Sequence, residues 1–286
     1  MPMINKNRPG SPLKRFFPGN LKLLLPLFVI AFLFIISVLS PLLPLYDPNK
    51  IELESLKMPP AWDHPLGTDS KGRDVFSRII YGGRISIGVA VLAAFISTVI
   101  GFAVGLASGY FGGRFDAVVM SIVDFILSFP SLLLAIAVSV ILPPGIYTVM
   151  IALSAVGWTS FARLVRGHVL TLKDMAFVDA ARAVGCGNLR IMLVHIAPLC
   201  IPLSLVMMGV KLGGFMLTEA TLSFLGLGAQ PPAPTWGSMI SANRAYILTA
   251  PWTVLFPGMA LSIAVFCFNF VGESLKERYE VKDSRS

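Results

Sequence analysis

The chain has 286 residues, of which 55% are apolar and only 13% charged, with a net charge of +8 and a mean hydropathy of +0.78. Soluble domains carry about 25% charged residues, so this balance excludes an ordinary soluble domain and points to a membrane protein. The basic excess reads as cytoplasmic loops of such a protein rather than as a nucleic-acid footprint.

A bilayer core takes about 20 apolar residues per helix. Apolar runs fall at residues 23–43, 85–108, 117–142, 146–164, 196–217 and 252–271, which predicts six spans. The first run is too long for the core of a cleaved signal and no small-residue cleavage site follows it, so it is expected to remain as a helix.

Between the first two runs lies a Pro- and Asp-rich stretch containing His64-Pro65-Leu66-Gly67-Thr68-Asp69-Ser70-Lys71-Gly72-Arg73-Asp74. Gly67 and Gly72 are spaced like the opening of a phosphate-cradling loop. That chemistry needs Lys followed by Ser or Thr; here Arg73 is followed by Asp74, an anion that would repel phosphate. The stretch instead predicts a structural turn leading into a short interfacial helix before Arg84.

The second run carries Gly101, Gly105 and Gly109 on one helical face. Small residues at that spacing let backbones approach closely, either within the chain or at a subunit interface. In the third run, Ala117, Ser121, Asp124, Ser128, Ser131 and Ala135 form one small, polar stripe at helical spacing. A lone Asp at mid-bilayer costs about 2.5–3.5 kcal/mol on insertion scales, so Asp124 must face protein or water. Ser121, Asp124 and Ser128 are candidates for lining a translocation path; the other reading is a buried Asp bonded to its neighbours. Pro130 is expected to bend this helix.

After the fourth run comes a polar, basic interruption, with Asp179-Ala180-Ala181-Arg182-Ala183-Val184-Gly185 and then His195-Ile196-Ala197-Pro198. A short helix near residues 175–188, stopped by Gly185, is expected to project there. The fifth run contains Lys211, a further translocation-path candidate. At 1.5 Å per residue, Asp124 would lie about 10 Å and Lys211 about 22 Å from the cytoplasmic side, which argues against a direct pair. Lys211 is expected to snorkel toward the outer face. Trp236, Tyr246 and Trp252, in or beside the loop after this run, suit a membrane interface.

Cys186, Cys200 and Cys267 form no CxxC pair, and His64, His168 and His195 are scattered, so no metal site is indicated. With the N-terminus inside, inner segments hold fifteen Lys and Arg residues and outer segments seven. That asymmetry favours cytoplasmic termini.

The segment Asp179 to Gly185 with the later His195-Ile196-Ala197-Pro198 resembles the cytoplasmic coupling loop of ABC-transporter permeases, whose pattern is Glu-Ala-Ala, three residues, Gly, nine residues, Ile-x-Leu-Pro. Asp179 replaces the Glu, and His195 and Ala197 stand where Ile and Leu are expected. The string from His64 to Asp74 resembles the dipeptide, oligopeptide and nickel branch of that family. So do Leu222-Ser223-Phe224-Leu225-Gly226-Leu227-Gly228 with Gln230-Pro231-Pro232 and Trp236-Gly237, and Asn269-Phe270-Val271-Gly272-Glu273.

The resemblance implies an all-α membrane protein of six transmembrane helices, whose last five form a type I ABC importer permease core with a cytoplasmic coupling helix. It divides the chain into a cytoplasmic segment 1–22, a first helix 23–45, an outer loop 46–84, a core 85–272 and a cytoplasmic tail 273–286. It assigns coupling to Asp179, Ala180, Ala181 and Gly185. The implied partners are a second, related permease, two ATPase subunits that carry the ATP and Mg, an extracytoplasmic substrate-binding protein and membrane lipid. The chain itself would hold no cofactor, metal or catalytic residue, bind no nucleic acid, and sit in a bacterial inner membrane.

The substrate expected is a di- or oligopeptide, with nickel, a metal chelate or a glutathione-like peptide left open. A secondary transporter would show inverted repeats, and none is evident. A membrane enzyme would need a convergent reactive set, for which Asp124 and Lys211 are the intramembrane candidates.

Overall fold

The computed structural model describes residues 21–283, with the side chains of residues 23–279. The expected N-terminal segment 1–22 lies almost wholly outside them, as does Arg285 in the tail. Among the described residues the regular elements are helical, apart from one isolated antiparallel bridge between Thr68 and Asp74.

The longer helices are α1 (Leu21–Val38), α2 (Val75–Phe111), α3 (Gly113–Leu127), α4 (Ser131–Ile141) and α5 (Ile146–Leu172). A short α6 (Ala176–Ala183) follows. A rod then runs through α7 (Asn188–Arg190), a π turn (Ile191–Ile196) and α8 (Ala197–Phe224). The chain closes with α9 (Trp236–Asn243) and α10 (Trp252–Asp283). Four elements are long and apolar enough to cross a membrane: α2, α5, the rod from Asn188 to Phe224, and residues Trp252–Tyr279 of α10. The α3–α4 pair makes a fifth if it counts as one span, and α1 is a shorter apolar helix.

One expectation about elements is borne out and one is corrected. Pro130 bends the run 117–142 as expected, and sharply enough to divide it: α3 and α4 meet at 92°. Pro130 has no N–H to continue the ladder, and its ring disfavours helical backbone at Phe129. Ser128 Oγ donates to Phe125 O at 2.7 Å, so the last turn of α3 closes on itself. The short interfacial helix expected before Arg84 is instead the start of α2. The Asp74 carboxylate caps Ser77 N at 2.7 Å, and from that N-cap the helix continues unbroken to Phe111.

The core is centred on α2 against α5. A Cβ at Gly101 or Gly105 would collide with the backbone oxygens of Trp158 and Ala162, and one at Gly109 would lie 2.8 Å from Val169 Cβ. The glycine face therefore serves packing within the chain. Fully buried Ala90, Ala93, Phe161 and Met216 complete that centre. On the other side α8 crosses α10, where Gly213 makes room for Asn269 and Gly272 lies against Gly209 and Val210. The Asn269–Gly272 motif is thus a close helix crossing.

Trp236, expected at the membrane interface, is 1% exposed. Its ring lies against Gly82 and Gly83, and its Nε1 donates to Ile79 O at 2.9 Å. A buried indole needs such an acceptor, and α2 supplies it.

Candidate functional site

The projecting helix α6 is built as a capped, one-sided element. Cys186 N donates to Ala181 O at 3.0 Å and Gly185 N to Arg182 O at 2.9 Å. Gly185 sits between them at φ +81°. This is a Schellman stop, which needs a left-handed residue at that position. Val178 (0% exposed) and Ala181 (7%) face inward onto a second core cluster with Val165, Val169, Leu172, Ile191 and Ile196. Tyr110 Oη donates to Asn188 Oδ1 at 2.9 Å, tying the end of α2 to the start of α7.

The outward face of α6 holds Asp179 and Ala180, followed by Val184, which is 81% exposed. Leu189 stands beyond it at 64%. Asp179 and Arg182 form an exposed ion pair at 3.3 Å. Ala180 and Ala181 were both expected to seat on a partner. Adjacent helical residues point about 100° apart, and only Ala180 is turned outward; Ala181 seats α6 on its own chain.

The expected path-lining residues Ser121, Asp124 and Ser128 are all exposed on α3. The break at Pro130 separates them from Ser131 and Ala135, which belong to α4. Asp124 pairs with Arg163 on α5. One turn along α5, Arg166 grips Asp116 with two hydrogen bonds, from Nε at 3.1 Å and from an Nη at 2.6 Å. The sequence indicated neither pair, because each partner lies on a different helix at the edge of an apolar run.

Lys211 does not snorkel outward. Its Nζ donates to Ser160 Oγ on α5 at 3.5 Å. It lines a cavity of about 160 Å³ with residues that include Leu127, Ser131, Gly157, Ser160, Phe215 and Thr218. Gly157, whose missing Cβ leaves space for Phe215, lets α8 approach α5 here. Lys211 and Asp124 are not brought together.

A further intramembrane carboxylate was missed. Glu219 on α8 is 1% exposed and accepts from Ser223 Oγ at 2.8 Å. The apolar run ends at residue 217, but α8 continues to Phe224, carrying Glu219 into the interior. The Glu219–Ser223 spacing of four within an otherwise small and apolar stretch was the available signal.

On the loop side, the string from His64 to Asp74 folds into a buried ionic cap. Asp69 Oδ2 accepts from Arg73 Nε at 2.7 Å and lies 3.7 Å from Arg78 Nε. Asp74 Oδ1 is 3.0 Å from His64 Nδ1. Gly67 stands at φ +73°, with Met58 O and the Trp252 ring where a Cβ would be. Trp252 Nε1 donates to Thr68 O at 3.1 Å, and Ser70 N to Asn243 Oδ1 at 3.3 Å. The cap thus pins the loop before α2 to α9 and α10.

A bundle of apolar helices with a capped helix standing off a loop between spans is the architecture of a membrane transport permease. The model of the family described as binding-protein-dependent transport system inner membrane component matches residues 97–281, and the chain belongs to that family. It is similar to the glutathione transport system permease protein GsiD of Escherichia coli O6:K15:H31 (strain 536 / UPEC), at 38% identity over 99% of this chain and 94% of the relative. The protein of the same description from Shigella flexneri serotype 5b (strain 8401) is 39% identical over the same shares.

Among solved structures, the fold is similar to a chain of the MetNI methionine ABC transporter in inward-facing conformations. The TM-score is 0.55 at 19% identity, covering 68% of this chain and 93% of that one. The chain is therefore a multi-pass inner-membrane permease of an ABC importer, and a transport component rather than an enzyme.

Proposed function

We propose that this permease imports small peptides, with glutathione the first candidate, and that α6 couples it to ATP hydrolysis on separate subunits. The observation that carries the coupling is the two-sided build of α6. Its inner face is locked to α5 and the π turn through Val178 and Ala181, while Ala180, Val184 and Leu189 are left uncovered. A push on the outer face would thereby move the packed rods, not merely a loop. Energy must enter this way, because a ligand shifts a two-state equilibrium only by differential binding.

Two ATPase subunits would seat α6 and its counterpart on a second, related permease, with ATP and Mg held on those subunits. An extracytoplasmic binding protein would deliver substrate to the face capped by residues 64–74. Both termini and α6 would lie in the cytoplasm, as the Lys and Arg asymmetry supports. The exposed α3 face, with Ser121, Asp124 and Ser128, would line the path together with Lys211. The peptide assignment draws on the glutathione permeases to which the chain is similar over nearly its full length.

The test is reconstitution of the chain with its partner subunits and binding protein in proteoliposomes. ATP-dependent uptake of glutathione or a dipeptide is expected. Uptake of nickel chelates alone would reassign the substrate, and uptake without ATP would remove the coupling role.

A further inference from the structure

Among the described residues, Lys211 is a cation in a membrane-spanning helix with no ion-pair partner. Its ammonium meets one protein acceptor, Ser160 Oγ, at the long distance of 3.5 Å. Among the described residues the nearby carboxylates are engaged elsewhere. Asp124 pairs with Arg163 and Asp116 with Arg166, while Glu219, whose Oε1 accepts from Ser223 and whose Oε2 has no partner, forms no ion pair with Lys211. An unpaired charge in such a setting is costly, and intramembrane ionisable residues mark ligand pathways by default.

The surroundings are a mainly apolar cavity with a few hydroxyls, not the route of a snorkel. Ser131 on α4 and Ser160 on α5 bring hydroxyls to a cavity whose walls include Leu127, Val156, Phe215 and Thr218. Its volume of about 160 Å³ compares with ~30 Å³ per water molecule. That admits a carboxylate and its adjoining atoms. A lysine is a point charge without the two-pronged grip of an arginine, which suits a group that must be released on each transport cycle.

We propose that this cavity is a carboxylate-binding subsite on the translocation path, with Lys211 as its cationic anchor and Ser131 and Ser160 as hydroxyl donors. The ligand class is a substrate carrying a free carboxylate. The inference deepens the peptide-import reading and rests on it.

The test uses the full complex in proteoliposomes, in a background with Cys186, Cys200 and Cys267 replaced by alanine. Lys211→Cys should assemble with its partners but lower ATP-dependent glutathione uptake about tenfold or more, as expected for loss of a charge-assisted bond. Treatment with 2-aminoethyl methanethiosulfonate, which attaches an ammonium at nearly the lysine's reach, should restore uptake. The neutral methyl reagent should not.

Uptake by Lys211→Cys undiminished from that of the Lys211-bearing complex, or equal rescue by the neutral reagent, overturns the subsite. Dissociation of the complex on substitution also overturns it, because Lys211 would then be pairing with a neighbouring subunit. Absence of ATP-dependent uptake already in the Lys211-bearing background overturns the peptide-import reading, and this inference with it.

Discussion

Arg163 on α5 supplies the counter-charge of Asp124 on α3, thirty-nine residues earlier in the chain. Both side chains are more than half exposed in the single chain, at 52% and 64%. On a water-filled path such an uncovered pair is worth about 0–1 kcal/mol, so it would do little to hold the fold. Its placement on the uncovered face of α3 fits a role in transport.

Asp124→Leu should therefore leave the unfolding free energy of the chain in detergent within about 1 kcal/mol of wild type. Glutathione uptake by the reconstituted complex should nevertheless fall clearly. Wild-type uptake by this variant would remove Asp124 from the path.

The ionic cap of residues 64–74 should behave in the opposite way. Asp69 is 1% exposed and holds Arg73 and Arg78, themselves 6% and 4% exposed. Removing one partner of a buried ionic group typically costs about 3–5 kcal/mol. Asp69→Ala should lower stability on that scale, read by thermal unfolding in detergent. A change below about 1 kcal/mol would show that the two arginines find other acceptors.

Two glycines should differ in kind. A side chain at Gly105 would run into Ala162 of α5, so Gly105→Leu must push the central helix pair apart. Overpacking of this type costs about 1–3 kcal/mol or more. At Gly185 nothing lies within 4 Å of a built Cβ, and the penalty of Gly185→Ala is only that of a left-handed residue, about 1–2 kcal/mol. Melting of the purified variants checks the order: Gly105→Leu should be the more damaging, and the reverse would contradict the packing described for α2 and α5.

Much of this architecture is legible in the sequence because its signals are local. The Gly101, Gly105 and Gly109 spacing states that a backbone comes close, and Gly185 after a short helical stretch states where that helix stops. What the sequence does not state is direction and partner. Pro130 announces an interruption, but the 92° angle depends on how α4 packs against α5. Lys211 looks free to reach the outer face by sequence, but Gly157 lets α8 close on α5 and the ammonium turns to Ser160 in the cavity there. Trp236 fits the statistics of interfacial aromatics, yet Gly82 and Gly83 leave a slot that buries it. Glu219 lies past the apolar run by composition and inside the bundle by geometry. Ala180 and Ala181 read alike as letters, and only the seating of α6 tells the outward one from the inward one.

The central claim is that the outer face of α6 receives the stroke of ATP hydrolysis. Ala180 is exposed there and lies outside the chain's own buried clusters, so Ala180→Arg should leave the helices inserted and the chain folded. The decisive measurement is ATP-dependent glutathione uptake, taken together with ATP hydrolysis and subunit retention, in proteoliposomes holding wild-type or Ala180→Arg complexes. The account predicts that the variant loses uptake, with the ATPase subunits released or hydrolysing without transport. Wild-type uptake and hydrolysis by Ala180→Arg would contradict it.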